Sequence, residues 1–353
     1  MISVVIVGAG LAGARCAETL RALGFDGRVV LIGDEPVPPY ERPALSKEFL
    51  LGERRSGDLL LRPQSFWEAQ AIELALGERV VSVRNGEAIT ASGMSFAYDT
   101  LVVATGARPR RLQGTPPGVH VLRTLADAEA LRADLHPGRR LAIVGGGFVG
   151  AEVASSAREL GVGVVLLEAG EAPFATLLGR DVAEVLSCRY RAHRVEIRTG
   201  VSVDRFETGA AGQIVATSLT DGSGVGCDVA LVAIGVNPAR ELLPHATPTL
   251  YVCGDAAGGG HWTAAALDGA GVAHALLGLE RPPTPPSYFW SDQFGLRLQL
   301  VGMTHGAAKT ELEGNDDAFV ARYRADDGTT LGALAVNRPT EVASLRRELA
   351  LAG

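Results

Sequence analysis

Two glycine triplets in this 353-residue chain sit where they could do chemistry. Near the start, SVVIVGAGLAGARCAETL sets Gly8, Gly10 and Gly13 between a β-branched run and an alanine- and leucine-rich stretch. Residues 141–158, LAIVGGGFVGAEVASSAR, repeat the plan with Gly145, Gly147 and Gly150. In this G-x-G-x-x-G spacing the first glycine allows the tight turn, the second lets backbone approach a pyrophosphate, and the third lets helix and strand pack closely. The helix start then offers unpaired N–H groups and the positive end of its dipole to a phosphate. Each triplet precedes a second strand ending in an acid, Asp34 after RVVLIG and Glu168 after VVLL. A carboxylate there binds ribose hydroxyls. Glu168 would repel a 2′-phosphate, which favours NADH over NADPH; a solvated acid at a strand end is the plainer alternative.

Other stretches carry less specific signals. YDTLVVATGARPRRL (98–112) reads as a buried strand ending at Ala104-Thr105-Gly106, and CDVALVAIGVNP (227–238) repeats that plan around Gly235. Each looks like a crossover between two dinucleotide-binding domains. LYVCGDAAG (250–258) delivers Gly254 and Asp255 onto a turn before a helix. A carboxylate there suits a polyol, such as the ribityl chain of FAD, and also suits a helix cap. PPYERPALSKEFL (38–50) holds Lys47, one of two lysines in a chain with 31 arginines. The prolines around it stiffen the loop.

The elements that must position these residues set the architecture. The expected fold class is α/β, with two Rossmann-like dinucleotide-binding domains, for FAD and NAD, and a C-terminal α+β domain. The FAD domain spans 1–107 and 236–282, the NADH domain 108–235, and the C-terminal domain 283–353 after the proline-rich ERPPTPPSYF. A net charge of −7 without a basic run argues against a nucleic-acid role. No apolar run is long enough for a transmembrane helix, and the apolar N-terminus lacks a basic leader, so a cytoplasmic protein is expected. Cys16, Cys188, Cys227 and Cys253 are scattered singly, with no metal or dithiol spacing.

Taken together, GAGLAG, GDE…PYERPALSK, YDTLVVATGARPR, GGGFVGAEVA, CGD and HWTAAALDG resemble the FAD-dependent, NADH-utilising ferredoxin reductases that serve oxygenases and cytochromes P450. FWSDQFGLRLQLVG (289–302) and LAVNRP (334–339) carry the likeness into the C-terminal region. The resemblance implies electron passage from NADH through FAD to a small iron–sulfur ferredoxin, with no metal of the protein's own. It places Lys47 by the flavin ring, paired with Glu152 near the nicotinamide, as the two catalytic residues. It places Gly8, Gly10, Leu11, Ala12, Gly13, Asp34, Glu35, Arg42, Val80, Ala104, Thr105, Gly106, Arg123, Gly254, Asp255, Trp262, Thr263 and Trp290 about FAD. Gly145, Gly147, Phe148, Val149, Gly150, Glu168 and Gly235 fall to the second nucleotide.

A compact ammonium on a flexible stem fits beside a flat ring and a carboxylate where a guanidinium would not, which is one reason to keep a lysine at position 47. The loop has no cysteine, so no thiol relay is expected. That counts against one alternative, an NADH oxidase or peroxidase; the other alternative is a redox-sensing flavoprotein resembling apoptosis-inducing factor. Arg54-Arg55, Arg110-Arg111 and Arg346-Arg347 are candidate steering pairs for an acidic ferredoxin. The chain departs from the family pattern at 244–249, where PHATPT replaces a longer stretch and the sheet flanking the FAD domain is expected to be trimmed. At 258–262, GGGHW lacks the family's charged residues before the tryptophan.

Overall fold

The computed structural model describes residues 2–84, 86–243 and 249–352, with side chains through residue 350. The chain divides into two compact units, Met1–Glu41 with Ser56–Arg108 and Asn237–Thr284, and Arg42–Arg55 with Pro109–Val236 and Pro285–Gly353. Of the 244–249 connection expected to trim the first sheet, residues 244–248 lie outside the described residues.

The first unit is built on a five-stranded parallel sheet in the spatial order Leu250–Val252, Thr100–Val103, Ser3–Val7, Arg28–Gly33, Ile72–Leu76. Val4–Val7 and Val29–Ile32 are buried along their whole length because both sheet faces are covered, which is why these strands read as unbroken apolar runs. Helix Leu11–Ala22 makes the crossover, and helix Trp262–Leu276 lies against it. Their approach is close: a Cβ on Gly269 would meet the Ala12 carbonyl oxygen at 2.1 Å. A three-stranded antiparallel sheet, Val80–Arg84, Glu87–Thr90 and Ser95–Ala97, completes the unit.

The second unit repeats the plan. Its parallel sheet runs Val195–Thr199, Gly163–Glu168, Arg140–Val144, Val229–Val232, Val119–His120, with helix Phe148–Glu159 as the first crossover. A five-stranded antiparallel sheet follows, in the order Tyr288–Gln293, Leu296–Gly302, Thr330–Val336, Ala318–Arg324, Lys309–Asn315. Helix Pro339–Ala352 covers one of its faces with Val342, Leu345 and Leu349. The other face joins the parallel sheet's core: Leu296, Leu298, Phe319 and Leu334 share one buried cluster with Ile143, Val153, Leu166 and Leu186. The expected α/β class with a C-terminal antiparallel sheet is therefore the fold observed. Segment Arg42–Arg55 also belongs to this unit. Its two short helices, Arg42–Ser46 and Glu48–Leu51, pack on helix Phe148–Glu159 and bury Leu50 in the same core.

Candidate functional site

In the first unit the glycine turn is set by sterics. Gly8 has φ +120°, and a Cβ there would stand 2.1 Å from the Ala104 carbonyl oxygen. A Cβ on Gly13 would stand 2.1 Å from the Gly8 carbonyl oxygen, so this glycine brings the helix onto the turn. Gly10 differs. It caps helix Leu11–Ala22 with no side-chain bond, and nothing lies within 4 Å of where its Cβ would be. A crowded turn that ends in a bare, open helix start is a cradle that fits a phosphate group. Leu11 and Ala12 are buried beside it, and a Cβ on Gly254 would meet the Ala12 Cβ at 2.8 Å.

The remaining first-unit candidates are fixed by their own elements. Asp34 is exposed after the second strand, and Glu35 accepts a hydrogen bond from the Tyr40 hydroxyl at 2.7 Å. Thr105 Oγ1 donates to the Ala239 carbonyl at 2.6 Å, with Gly106 at φ +73° beside it. Asp255 Oδ1 accepts from the Gly260 amide at 3.1 Å. His261, not Asp255, caps helix Trp262–Leu276, accepting at Nδ1 from the Ala264 amide, and Thr263 Oγ1 lies 3.1 Å from the same nitrogen. Burial lowers the His261 pKa against the opposing pull of Asp255. Trp262 is half-buried at the helix start, and Val80 is a core residue of the small antiparallel sheet.

The second glycine turn has the same construction. Gly145 has φ +104°, and its Cβ would meet the Ala233 carbonyl oxygen at 2.5 Å. A Cβ on Gly150 would meet the Gly145 carbonyl oxygen at 2.3 Å, whereas Gly147 faces open space. Glu168 is not a loosely solvated acid. Its Oε2 accepts from the Gly146 amide at 2.8 Å and its Oε1 from the Gly170 amide at 2.7 Å, so the carboxylate is oriented against the turn. Phe148 packs between Phe174 and Phe289, at 4.8 and 4.3 Å between ring centres. Val149 is 41% exposed, and Gly235, at φ +93°, has no neighbour where a Cβ would be.

Lys47 and Glu152 meet. The ammonium lies 3.0 Å from Glu152 Oε1, with the two side chains 13% and 8% exposed. The pairing follows from the packing of the two short helices on helix Phe148–Glu159, which presents Glu152 toward them on its second turn. Two hydroxyls also donate to the carboxylate, Ser46 to Oε2 at 2.5 Å and Ser291 to Oε1 at 2.7 Å. Arg42 and Arg123 come together as well: the Arg42 guanidinium donates to the Arg123 carbonyl at 2.6 Å. Trp290 stacks near-parallel to Tyr288 at 6.2 Å between ring centres, one strand position from Ser291.

Sequence reasoning passed over Ser46, Ser291, Gln293 and Tyr190. The available signal was FWSDQ, whose serine and glutamine share one strand face, so that two polar side chains point inward together. Among the described residues, no group of three or more His, Cys, Asp or Glu is placed to hold a metal ion. No helix of the described residues is long and apolar enough to cross a membrane.

Comparison with known proteins agrees with this geometry. Residues 2–269 match the pyridine nucleotide-disulphide oxidoreductase model and residues 288–352 the reductase C-terminal model. The ferredoxin–NAD(+) reductase component of a p-cumate 2,3-dioxygenase system from Pseudomonas putida is 38% identical, over 98% of this chain and 92% of that protein. The corresponding component of the biphenyl dioxygenase system of Paraburkholderia xenovorans is 35% identical, over 96% and 91%. Among solved structures, putidaredoxin reductase in covalent complex with putidaredoxin superposes with a TM-score of 0.93 at 30% identity, over 99% of this chain and 93% of that one. The chain belongs to the pyridine nucleotide-disulphide oxidoreductase family and also carries a reductase C-terminal domain.

Proposed function

We propose that this chain is an FAD-dependent NADH:ferredoxin reductase, passing electrons from NADH through FAD to a small iron–sulfur ferredoxin that serves an oxygenase or a cytochrome P450. The observation that carries this reading is the buried Lys47–Glu152 pair: the lysine comes from a loop without cysteine, and both carboxylate oxygens of Glu152 also accept from serine hydroxyls. When bound, FAD accepts two electrons together from NADH and can release them one at a time, which is what a one-electron iron–sulfur acceptor requires.

The chain's residues take the following parts. The helix start at Gly10, with Leu11 and Ala12, holds the FAD pyrophosphate; Asp34 and Glu35 hold its ribose, and Asp255 its ribityl hydroxyls. Val80, Ala104, Thr105, Gly106, Gly254, Trp262 and Thr263 complete that site within the first unit, and the family resemblance alone assigns Arg42, Arg123 and Trp290 to FAD. The helix start at Gly147, with Phe148 and Val149, holds the NADH pyrophosphate, and Gly235 leaves room beside it. Glu168, already oriented by two amides, accepts from a ribose hydroxyl without having to reorganise, which favours NADH over NADPH. Lys47 supplies a compact positive charge to stabilise negative charge developing during transfer, and Glu152 holds it there. The domain division in this reading is FAD on 1–107 and 236–282, NADH on 108–235, and a C-terminal reductase domain on 283–353. A cytoplasmic setting, where NADH is at hand, belongs to the same reading.

The test is NADH-dependent reduction of cytochrome c with and without added iron–sulfur ferredoxin. A rate that saturates with ferredoxin supports the proposal. Rapid NADH consumption with stoichiometric peroxide and no response to ferredoxin would replace it with an oxidase.

A further inference from the structure

A line of buried polar groups runs into Glu152 from the C-terminal sheet. Glu152 is 6% exposed, Ser291 0%, Gln293 3% and Tyr190 0%. Tyr190, on helix Arg180–Ala192, bonds Gln293 Oε1 through its hydroxyl. Gln293 Nε2 lies 3.1 Å from Ser291 Oγ, and Ser291 Oγ lies 2.7 Å from Glu152 Oε1. The direction of every bond follows from its end. A carboxylate paired with an ammonium only accepts, so the Ser291 hydroxyl donates to it; Ser291 Oγ then accepts from the Gln293 amide nitrogen, and Gln293 Oε1 accepts from Tyr190. All the donors point toward Glu152.

Burying four polar side chains in this way costs more than an apolar core of the same volume would, so the arrangement needs a reason beyond filling space. The carboxylate supplies one. Ser46 donates to Oε2, and Ser291 shares Oε1 with Lys47, whose ammonium makes its close approach at that oxygen. An ammonium has three protons to donate, and those not used on Oε1 stay available for another acceptor. Burial, reinforced by the charge of Glu152, raises the Tyr190 pKa well above its ordinary value, so the chain keeps its first donor proton.

We propose that Ser291, Gln293 and Tyr190 are positioning residues, which fix the Glu152 carboxylate and through it the Lys47 ammonium for the reaction between NADH and the flavin. This rests on the reading that the Lys47–Glu152 pair serves that reaction. It gives the C-terminal sheet a part in the chemistry through Ser291 as well as through the neighbouring Trp290.

The experiment compares flavin-loaded wild type with Ser291→Ala, Ser291→Thr, Tyr190→Phe and Glu152→Gln. One readout is the limiting rate of anaerobic flavin reduction by NADH, together with the NADH concentration giving half that rate. The other, free of turnover, is the acetylation rate of Lys47 in the resting protein relative to Lys309, the chain's only other lysine. Ser291→Ala should slow the limiting rate about tenfold with the half-saturating NADH unchanged, the scale expected for one hydrogen bond to a charged group. Lys47 should acetylate several-fold faster in that variant, because the carboxylate holding it is released. Ser291→Thr, which keeps the hydroxyl, should restore both readouts. Tyr190→Phe should move both in the same direction by a smaller factor.

If Glu152→Gln is slow while Ser291→Ala and Tyr190→Phe match wild type in both readouts, the positioning inference is overturned and the reading of the pair stands. If Glu152→Gln itself reduces flavin at the wild-type rate, the reading of the pair falls and takes this inference with it. A slow Ser291→Ala with unchanged Lys47 acetylation, and no rescue by threonine, would mean a purely structural role and also overturn it. Should Ser291→Ala not fold, the threonine and Tyr190→Phe variants decide by the same two readouts.

Discussion

Removing both members of the Lys47–Glu152 pair should cost less than the sum of removing each alone. At 3.0 Å separation, an effective dielectric of about 20 gives a Coulomb attraction of about 5–6 kcal/mol. Desolvating both ions opposes this by several kcal/mol, so a net coupling of about 2 kcal/mol is the reasonable expectation. Lys47→Met should cost about 3 kcal/mol, near the low end for breaking a buried pair, because Ser46 and Ser291 still donate to the abandoned carboxylate. Glu152→Gln leaves a buried ammonium without its counter-charge and should cost a similar amount. The double variant should then be about 2 kcal/mol more stable than the sum of the singles implies. Urea unfolding at saturating FAD, followed by circular dichroism, measures the cycle. Because both side chains are at least 87% shielded from solvent, the coupling should survive roughly 0.5 M salt. Additivity within about 0.5 kcal/mol, or a coupling abolished by salt, would refute the claim that this is a buried and functionally constrained pair.

Further outcomes follow from the same geometry. Gly8→Ala should destabilise the protein by about 3 kcal/mol or more, since φ +120° and a 2.1 Å contact with backbone cannot both be relieved; Gly10→Ala should leave the melting temperature nearly unchanged and weaken FAD binding, read by flavin content after dialysis. Lys47→Arg should slow flavin reduction by NADH in stopped-flow traces, and an unchanged rate would end the steric argument for a lysine. Glu168→Gln should narrow the preference for NADH over NADPH by about tenfold, measured as the ratio of kcat/KM values, because the repelling charge is gone while the amide bonds can be partly kept. Burial pushes the Cys227 thiol up to about 11, the Cys253 thiol up to about 12 and Cys16 well above the usual range, so all three stay protonated thiols at pH 8. A colorimetric thiol assay on the native protein should therefore find fast reaction at the exposed Cys188 alone, with the others appearing on denaturation.

Both glycine turns were legible because their constraints are local. A positive φ at Gly8 and Gly145, and close helix–turn approach at Gly13 and Gly150, are each decided within a few residues, and only glycine satisfies them. The fold class followed from strand–turn–helix runs of the same local kind. Lys47 could be singled out by composition, but its pairing with Glu152 came from family resemblance, since 105 residues separate the two. The hydroxyl partners of Glu152 were out of reach as partners: Ser46 is 106 positions away and Ser291 is 139, so even the paired polar face of FWSDQ did not point to Glu152. Tyr190 reads as an ordinary core aromatic on helix Arg180–Ala192, and its bond to Gln293 spans 103 positions. The placing of Arg42–Arg55 with the second compact unit was hidden for a related reason. The segment lies in sequence between strands of the first sheet, while Leu50 is buried among side chains from beyond residue 130.

The central claim is that NADH reduces a flavin held by this chain. Its most direct test is the visible spectrum of the purified, FAD-supplemented protein without oxygen, recorded before and after one equivalent of NADH, with NADPH in a parallel sample. Rapid bleaching of the flavin band by NADH and much slower bleaching by NADPH is the predicted result. A protein that takes up no FAD, or a bound flavin that NADH leaves oxidised, would contradict the account.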